Sequence, residues 1–183
     1  LFQIQKNKSM SENEFIIGCQ KQDAKIQNSV YKTYGPKVFG ICKRYMKDRE
    51  RAEEMTMNSF LSVFQKINQF KNDGSFEGWI LKITVNCCLM ELRKKTTFSN
   101  EFPLENIQSA NENEVLKSLE EKDIDTMLSI LPEGARIIFN LYAIEGYKHA
   151  EIAEKLGISE GTSKSQLNYA KEKLKKFFFN SQS

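Results

Sequence analysis

The chain is predicted to be all-α, built as two small helical domains joined by a linker. Three observations carry this. Apolar residues recur at helical spacing along most of the 183 residues, while strand-like alternation is scarce. Breakers are few, with nine glycines and three prolines, at 36, 103 and 132. A polar, acidic stretch around Pro103 separates two helical runs, as a linker would. The first domain is expected over residues 11–95, the linker over 96–117 and the second domain over 118–180.

In the first run, Phe15, Ile16, Cys19, Ile26, Val30 and Tyr34 form an imperfect amphipathic pattern. Gly35 and Pro36 are expected to break it, with Pro36 opening the next helix at its first position. Val38, Phe39, Cys42, Tyr45 and Met46 continue at helical spacing, and Asp48 offers a cap. The next apolar face is Ala52, Met55, Ser59, Phe60, Val63, Phe64 and Ile67, with Glu50, Glu53, Glu54 and Asn58 on the other side. Residues 71–75, Lys-Asn-Asp-Gly-Ser, are turn-rich. Residues 79–92 are apolar on nearly all sides, which suits the middle of a bundle. In the linker, Phe102, Leu104 and Ile107 either dock on a partner or pack on a neighbouring helix.

Residues 131–176 read as helix, helix, tight turn, helix. Ala150, Ile152, Ala153 and Leu156 share one face, Gly157 suits a left-handed helix end, and Ser159 is placed as an N-cap with Glu160 in the first turn. On the last helix Ser163, Leu167, Ala170 and Leu174 face inward. Gly161, Thr162, Ser165, Asn168 and Tyr169 face outward, with Lys164 at the border. This is the pattern of a helix-turn-helix, whose second helix enters the DNA major groove, and its outward side chains can reach base edges or phosphates. A plain helical hairpin with a solvated face has the same pattern.

Composition bounds the rest. Hydrophobic residues make up 40% and charged residues 28% of the chain, enough for a core and a wet surface. The net charge is only +3, so the total does not argue nucleic-acid binding. The local runs Arg93, Lys94, Lys95 and Lys171, Lys173, Lys175, Lys176 are either solvated faces or phosphate contacts. Four cysteines without a Cys-x-x-Cys pair and a single histidine, His149, are poor material for a metal site. Reduced, mostly buried thiols are expected. No nucleophile–base pairing or phosphate loop is visible, so the chain is read as no enzyme and as needing no cofactor. No run approaches the about 20 apolar residues of a membrane span and no signal peptide is visible, so a cytoplasmic location is expected. Residue 1 is Leu, and Met10 offers a start that would leave residues 1–9 outside the native chain.

Three features have two readings each. Trp79 is either core or a stacking platform for unpaired bases. Asn86, in an apolar helix, is either a core bridge or a donor lining a base pocket. Glu53 and Glu54 are either solvated or meet a basic partner helix.

Three segments, in order, resemble the bacterial RNA polymerase sigma factors of the extracytoplasmic-function class. RAEEMTMNSFLSVFQKINQF looks like the helix with which such factors grip the polymerase clamp. FKNDGSFEGWILKITVNCCLMELRKK looks like the promoter-melting segment, with its skeleton at Phe76, Trp79, Asn86 and Arg93. LPEGARIIFNLYAIEGYKHAEIAEKLGISEGTSKSQLNYAKEKL looks like the domain that reads the upstream promoter element. The resemblance implies an alternative sigma factor, working by binding and strand capture, with core RNA polymerase and promoter DNA as partners. It implies that residues 71–75, Lys71, Asn72 and Asp73 among them, border a pocket for a flipped base, with Asn86 near it; Trp79, which follows the loop, either walls that pocket or is core. It implies Arg93, Lys94 and Lys95 along phosphates, and Lys164, Ser165 and Asn168 on duplex DNA, where the helical projection adds Thr162 to the same face. Glu53, Glu54 and Asn58 would meet the polymerase. Members commonly have an anti-sigma inhibitor, though no residue here shows one. The chain departs from the family pattern at Met57 and Asn58, where a Gln-Glu pair is usual. It also departs at Met90, Ser163, Gln166 and Tyr169.

Overall fold

The computed structural model describes residues 10–46, 48–95 and 127–181, and among them every regular element is helical. They are α1 (Glu12–Gln20), α2 (Ala24–Tyr45), α3 (Arg49–Lys66) with a 3-10 turn at Ile67–Gln69, and α4 (Phe76–Lys95). Then follow α5 (Glu133–Phe139), which runs into a π-helical turn at Asn140–Ile144, α6 (His149–Leu156) and α7 (Glu160–Ser181). The linker expected at 96–117, its apolar residues and residues 1–9 lie outside the described residues. The chain divides into two compact units, Leu1–Cys42 with Glu53–Cys87, and Lys43–Ala52 with Cys88–Ser183.

In the first unit α1 opens on a reciprocal cap. The Glu14 amide donates to Ser11 Oγ at 3.3 Å, and the Ser11 amide donates to Glu14 Oε2 at 2.7 Å. The first helix break is not where the sequence placed it. Gly35 and Pro36 do not interrupt the chain, because α2 runs through Pro36. The break lies at residues 21–23, where Gln22 takes a φ of 57° and Asp23 Oδ1 accepts from the amides of Lys25 at 2.8 Å and Ile26 at 3.3 Å. Pro36 removes the amide that would pair with the Lys32 carbonyl, and both residues are exposed. A proline is tolerated where its orphan is solvated, whereas a side-chain cap stabilises a new helix start outright.

Tyr34 sits edge-on between Phe15 at 6.1 Å and Phe76 at 5.9 Å, and Val30, Val38, Val63, Ile67 and Ile80 of the same unit are fully buried. α4 is less enclosed than its composition suggests. Phe76, Ile80, Ile83, Thr84 and Val85 are buried, but Lys82 and Met90 are exposed and Leu81 and Asn86 are half-buried. The buried Thr84 hydroxyl is satisfied by donating to the Ile80 carbonyl at 3.0 Å. Cys19, Cys42 and Cys88 are buried free thiols, and Cys87 is half-buried.

The second unit packs Leu131, Ala135, Ile137, Ile138, Phe139 and Leu141 against Ile152, Leu156, Leu167, Ala170 and Leu174, all buried. At the end of α2, carbonyls without helical partners gain donors from α5 and the turn beyond it. Asn140 Nδ2 donates to the Arg44 carbonyl at 3.0 Å, and Arg136 Nη2 to that of Tyr45 at 3.4 Å. Arg44 also pairs with Glu145 at 2.9 Å, both largely buried. Burial pushes the Tyr45 phenol well above the ordinary tyrosine range, and the Glu145 carboxylate adds to it.

Candidate nucleic-acid interface

The turn between α6 and α7 closes through local chemistry. Gly157 takes φ 68° and ψ 35°, and the Ile158 amide donates to the Ala153 carbonyl at 3.1 Å. Ser159 Oγ then accepts from the Thr162 amide at 3.0 Å and lies 2.9 Å from Thr162 Oγ1. Along α7, Ser163, Leu167, Ala170 and Leu174 are buried, as the helical projection requires. Gly161 and Lys164 are exposed, while Thr162, Ser165, Asn168 and Tyr169 are half-exposed. Gln166, one of the departures from the family pattern, is buried at 9% exposure. The outward face is small and polar. Ser165 Oγ donates to the Thr162 carbonyl at 3.0 Å, so its free valence is as an acceptor. Lys164 Nζ lies 3.7 Å from Glu160 Oε2, and both side chains are more than half exposed, so water leaves this pair weak and the ammonium available.

Behind that face lies an arrangement that the helical projection does not reveal. The His149 Nδ1 and Ser163 Oγ atoms are 2.8 Å apart, joining the first residue of α6 to the first turn of α7. The Tyr142 ring, from the π-helical turn, stacks on the imidazole at 4.5 Å and 23°. Lys171 Nζ lies 5.9 Å from the centroid of the same tyrosine. The only hint in the sequence is a serine at an inward position.

In the first unit, residues 71–75 are all exposed, and Asn72 has a φ of 60°. Asparagine tolerates that left-handed conformation better than most residues. Ser75 Oγ accepts from the Gly78 amide at 3.0 Å and starts α4. Trp79 is half-buried, stacked on the fully buried Phe76 at 6.1 Å and flanked by Phe70 at 5.3 Å. Trp79 is therefore packed on Phe76 and Phe70 and still partly accessible. Asn86 is half-buried and already engaged in an interaction.

Glu53, Glu54 and Asn58 are exposed on α3. Between and beyond them stand Met57 at 54% and Leu61 at 55% exposure, an apolar pair one turn apart. The sequence carries this signal, since neither residue belongs to the inward face. Arg93 and Lys94 are exposed near the end of α4, with Lys94 Nζ 3.6 Å from Glu91 Oε2. Lys95 closes the helix, but its side chain lies outside the described residues. Among the described residues no group of three His, Cys, Asp or Glu could hold a metal ion, and no helix is long and apolar enough to cross a membrane.

A family model described as Sigma-70 region 2 matches residues 30–98, and one described as Sigma-70, region 4 matches residues 121–174. The RNA polymerase sigma-H factor of Pseudomonas aeruginosa is 21% identical over 179 residues, covering 90% of this chain and 92% of that protein. The ECF RNA polymerase sigma-E factor of Haemophilus influenzae is 25% identical over 179 residues, covering 89% and 93%. In fold the chain is similar to the sigma factor RpoE solved with the anti-sigma factor NepR from Bartonella quintana. That match has a TM-score of 0.51 at 18% identity, over 82% of this chain and 95% of that one. It is also similar to CnrH in complex with the cytosolic domain of CnrY, with a TM-score of 0.50 at 16% identity, over 94% and 99%.

Proposed function

We infer the residue roles from the premise that this chain belongs to the sigma-70 family, in the extracytoplasmic-function class, and acts as an alternative sigma factor. It binds core RNA polymerase and directs transcription initiation at particular promoters. The observation that carries the reading is the order of its two matched regions, a region 2 helical unit followed by a region 4 helix-turn-helix.

The reading assigns duplex recognition to Thr162, Lys164, Ser165 and Asn168. They form a small polar surface around one available cation. An amide and a hydroxyl suit base edges, and an ammonium suits a phosphate. Strand capture is assigned to the exposed loop with Lys71, Asn72 and Asp73, backed by Trp79 and Asn86. A base leaving the duplex loses stacking worth a few kcal/mol, and an aromatic surface with nearby hydrogen-bonding groups offsets that loss. Arg93, Lys94 and Lys95 follow phosphates. Glu53, Glu54 and Asn58 meet polymerase, with Met57 and Leu61 giving the contact an apolar centre inside a polar rim. The chain works by binding, in the cytoplasm, and no group in it is assigned a catalytic step. The RpoE neighbour is bound to an anti-sigma factor, and an inhibitor of that kind is the further partner of this chain.

The test is run-off transcription with purified core polymerase and a promoter mapped by start-site sequencing after overproduction. Promoter-directed RNA made only when both chain and core are present is the expected result. DNA binding without any such RNA would favour a helix-turn-helix regulator that never enters polymerase.

A further inference from the structure

We propose that His149 and Ser163 are positioning residues for the recognition helix, setting how sharply the protein discriminates among duplex sequences. The proposal rests on the assignment of α7 to duplex recognition.

The bond between His149 Nδ1 and Ser163 Oγ, at 2.8 Å, ties residues 14 apart in sequence. Its two ends have different mechanical roles. His149 opens the supporting helix α6, and the ring is held by stacking on Tyr142 at 4.5 Å. Ser163 is fully buried in the first turn of α7, with Thr162 and Lys164 on either side turned toward the outward face. Any rotation of α7 about its axis that moves Ser163 moves those neighbours too. In a helix-turn-helix the N-terminal part of the second helix reaches the base edges.

The choice of a polar tie matters because of its directionality. An apolar pair at this place would set the spacing of the two helices but tolerate sliding and rotation. A hydrogen bond weakens steeply as its angle departs from linear, so it also fixes orientation. Base readout needs side chains held within about 0.5 Å of the productive geometry, which apolar packing alone does not guarantee. The buried hydroxyl also resists motion because losing its partner would leave it unsatisfied. Either the hydroxyl or the imidazole can donate, so the tie needs no particular charge on the ring.

The experiment uses the full chain bound to core polymerase, titrated with a randomised set of duplex upstream elements. The readout is the ratio of affinity for the best element to that for scrambled duplex, measured beside thermal melting of the free chain. Ser163→Ala and His149→Leu should each lower the ratio by about two- to tenfold, and the double variant should lose no more than either single one. His149→Asn, which places an amide atom where Nδ1 stands, should keep the ratio near the parent's. Parental ratios in Ser163→Ala and His149→Leu overturn the proposal, as does a loss in His149→Asn equal to that in His149→Leu at the same melting temperature. Asn168→Ala separates the two levels. If it lowers the ratio while Ser163→Ala does not, the tie fails and the duplex assignment stands. If neither changes it, both fail.

Discussion

Trp79 stacks on Phe76 with ring centroids 6.1 Å apart and planes 18° from parallel. Phe76 is fully buried and Trp79 only half, so one aromatic pair reaches from the core of the first unit to its surface. Phe76→Ala should therefore destabilise the chain by about 3–5 kcal/mol, as large buried truncations do. Trp79→Ala should cost less, about 1–3 kcal/mol, because less of its surface leaves water. Urea unfolding followed by circular dichroism measures both, and equal losses would contradict the surface placement of Trp79.

The loop at residues 71–75 allows backbone and side chain to be separated. Asn72 sits at a φ of 60°, so Asn72→Gly keeps the conformation and removes only the amide. This variant should melt like the parent but open duplex promoters poorly, and recover on templates with a pre-opened bubble. Permanganate footprinting beside run-off transcription reads both. Normal opening would remove the Asn72 amide from strand capture.

On α3, the exposed acids and the exposed Met57 and Leu61 predict two kinds of polymerase defect. Glu53→Lys with Glu54→Lys should weaken core binding mainly at low salt, because exposed charges are screened beyond about 10 Å at 0.1 M ionic strength. Met57→Ser with Leu61→Ser should weaken it at all salt concentrations, by about 1–3 kcal/mol. Fluorescence anisotropy against core polymerase at two ionic strengths distinguishes them. Helical circular dichroism should be unchanged in each, since none of the four residues is buried.

For the duplex reader, Ser165→Ala and Asn168→Ala should change which promoters are used, each losing about 1–3 kcal/mol where a base contact disappears. Lys164→Ala should weaken binding evenly across sequences and flatten its salt dependence. A promoter panel transcribed by all three variants as by the parent would place the interface elsewhere.

Alkaline pH should destabilise the fold. Burial, helped by Asp23, pushes the Cys19 thiol from the ordinary 9.0 to about 11. Burial likewise raises Tyr34, Tyr45 and Tyr147. A group whose folded pKa is raised stabilises the fold while it keeps its proton. For Cys19 that contribution is whole below 9.0 and is lost as pH climbs through about 11. The urea midpoint should therefore fall as pH passes 9.0, and a rising midpoint would reverse the sign. At neutral pH, iodoacetamide should modify half-buried Cys87 before buried Cys19.

What the sequence determined by itself rests on near neighbours. Gly157, Ser159 and the spacing of Leu167, Ala170 and Leu174 act within one or two turns, so the amino-acid order alone makes the helix-turn-helix and its outward face legible. The all-α class follows from the same short-range periodicity. The first helix break escapes such reasoning: Pro36 is a strong local signal, but its cost depends on whether the Lys32 carbonyl meets water or core. Other features depend on residues far apart in the chain. The π-helical turn brings Tyr142 to His149, and Ser163 reads as a flaw in an apolar face until folding sets His149 beside it. Half-burial of Trp79 depends on where Phe70 and Phe76 place their rings. Periodicity assigns a residue to a side of its own helix, but only packing decides what meets it there, because burial and hydrogen bonding are properties of the neighbours that folding supplies.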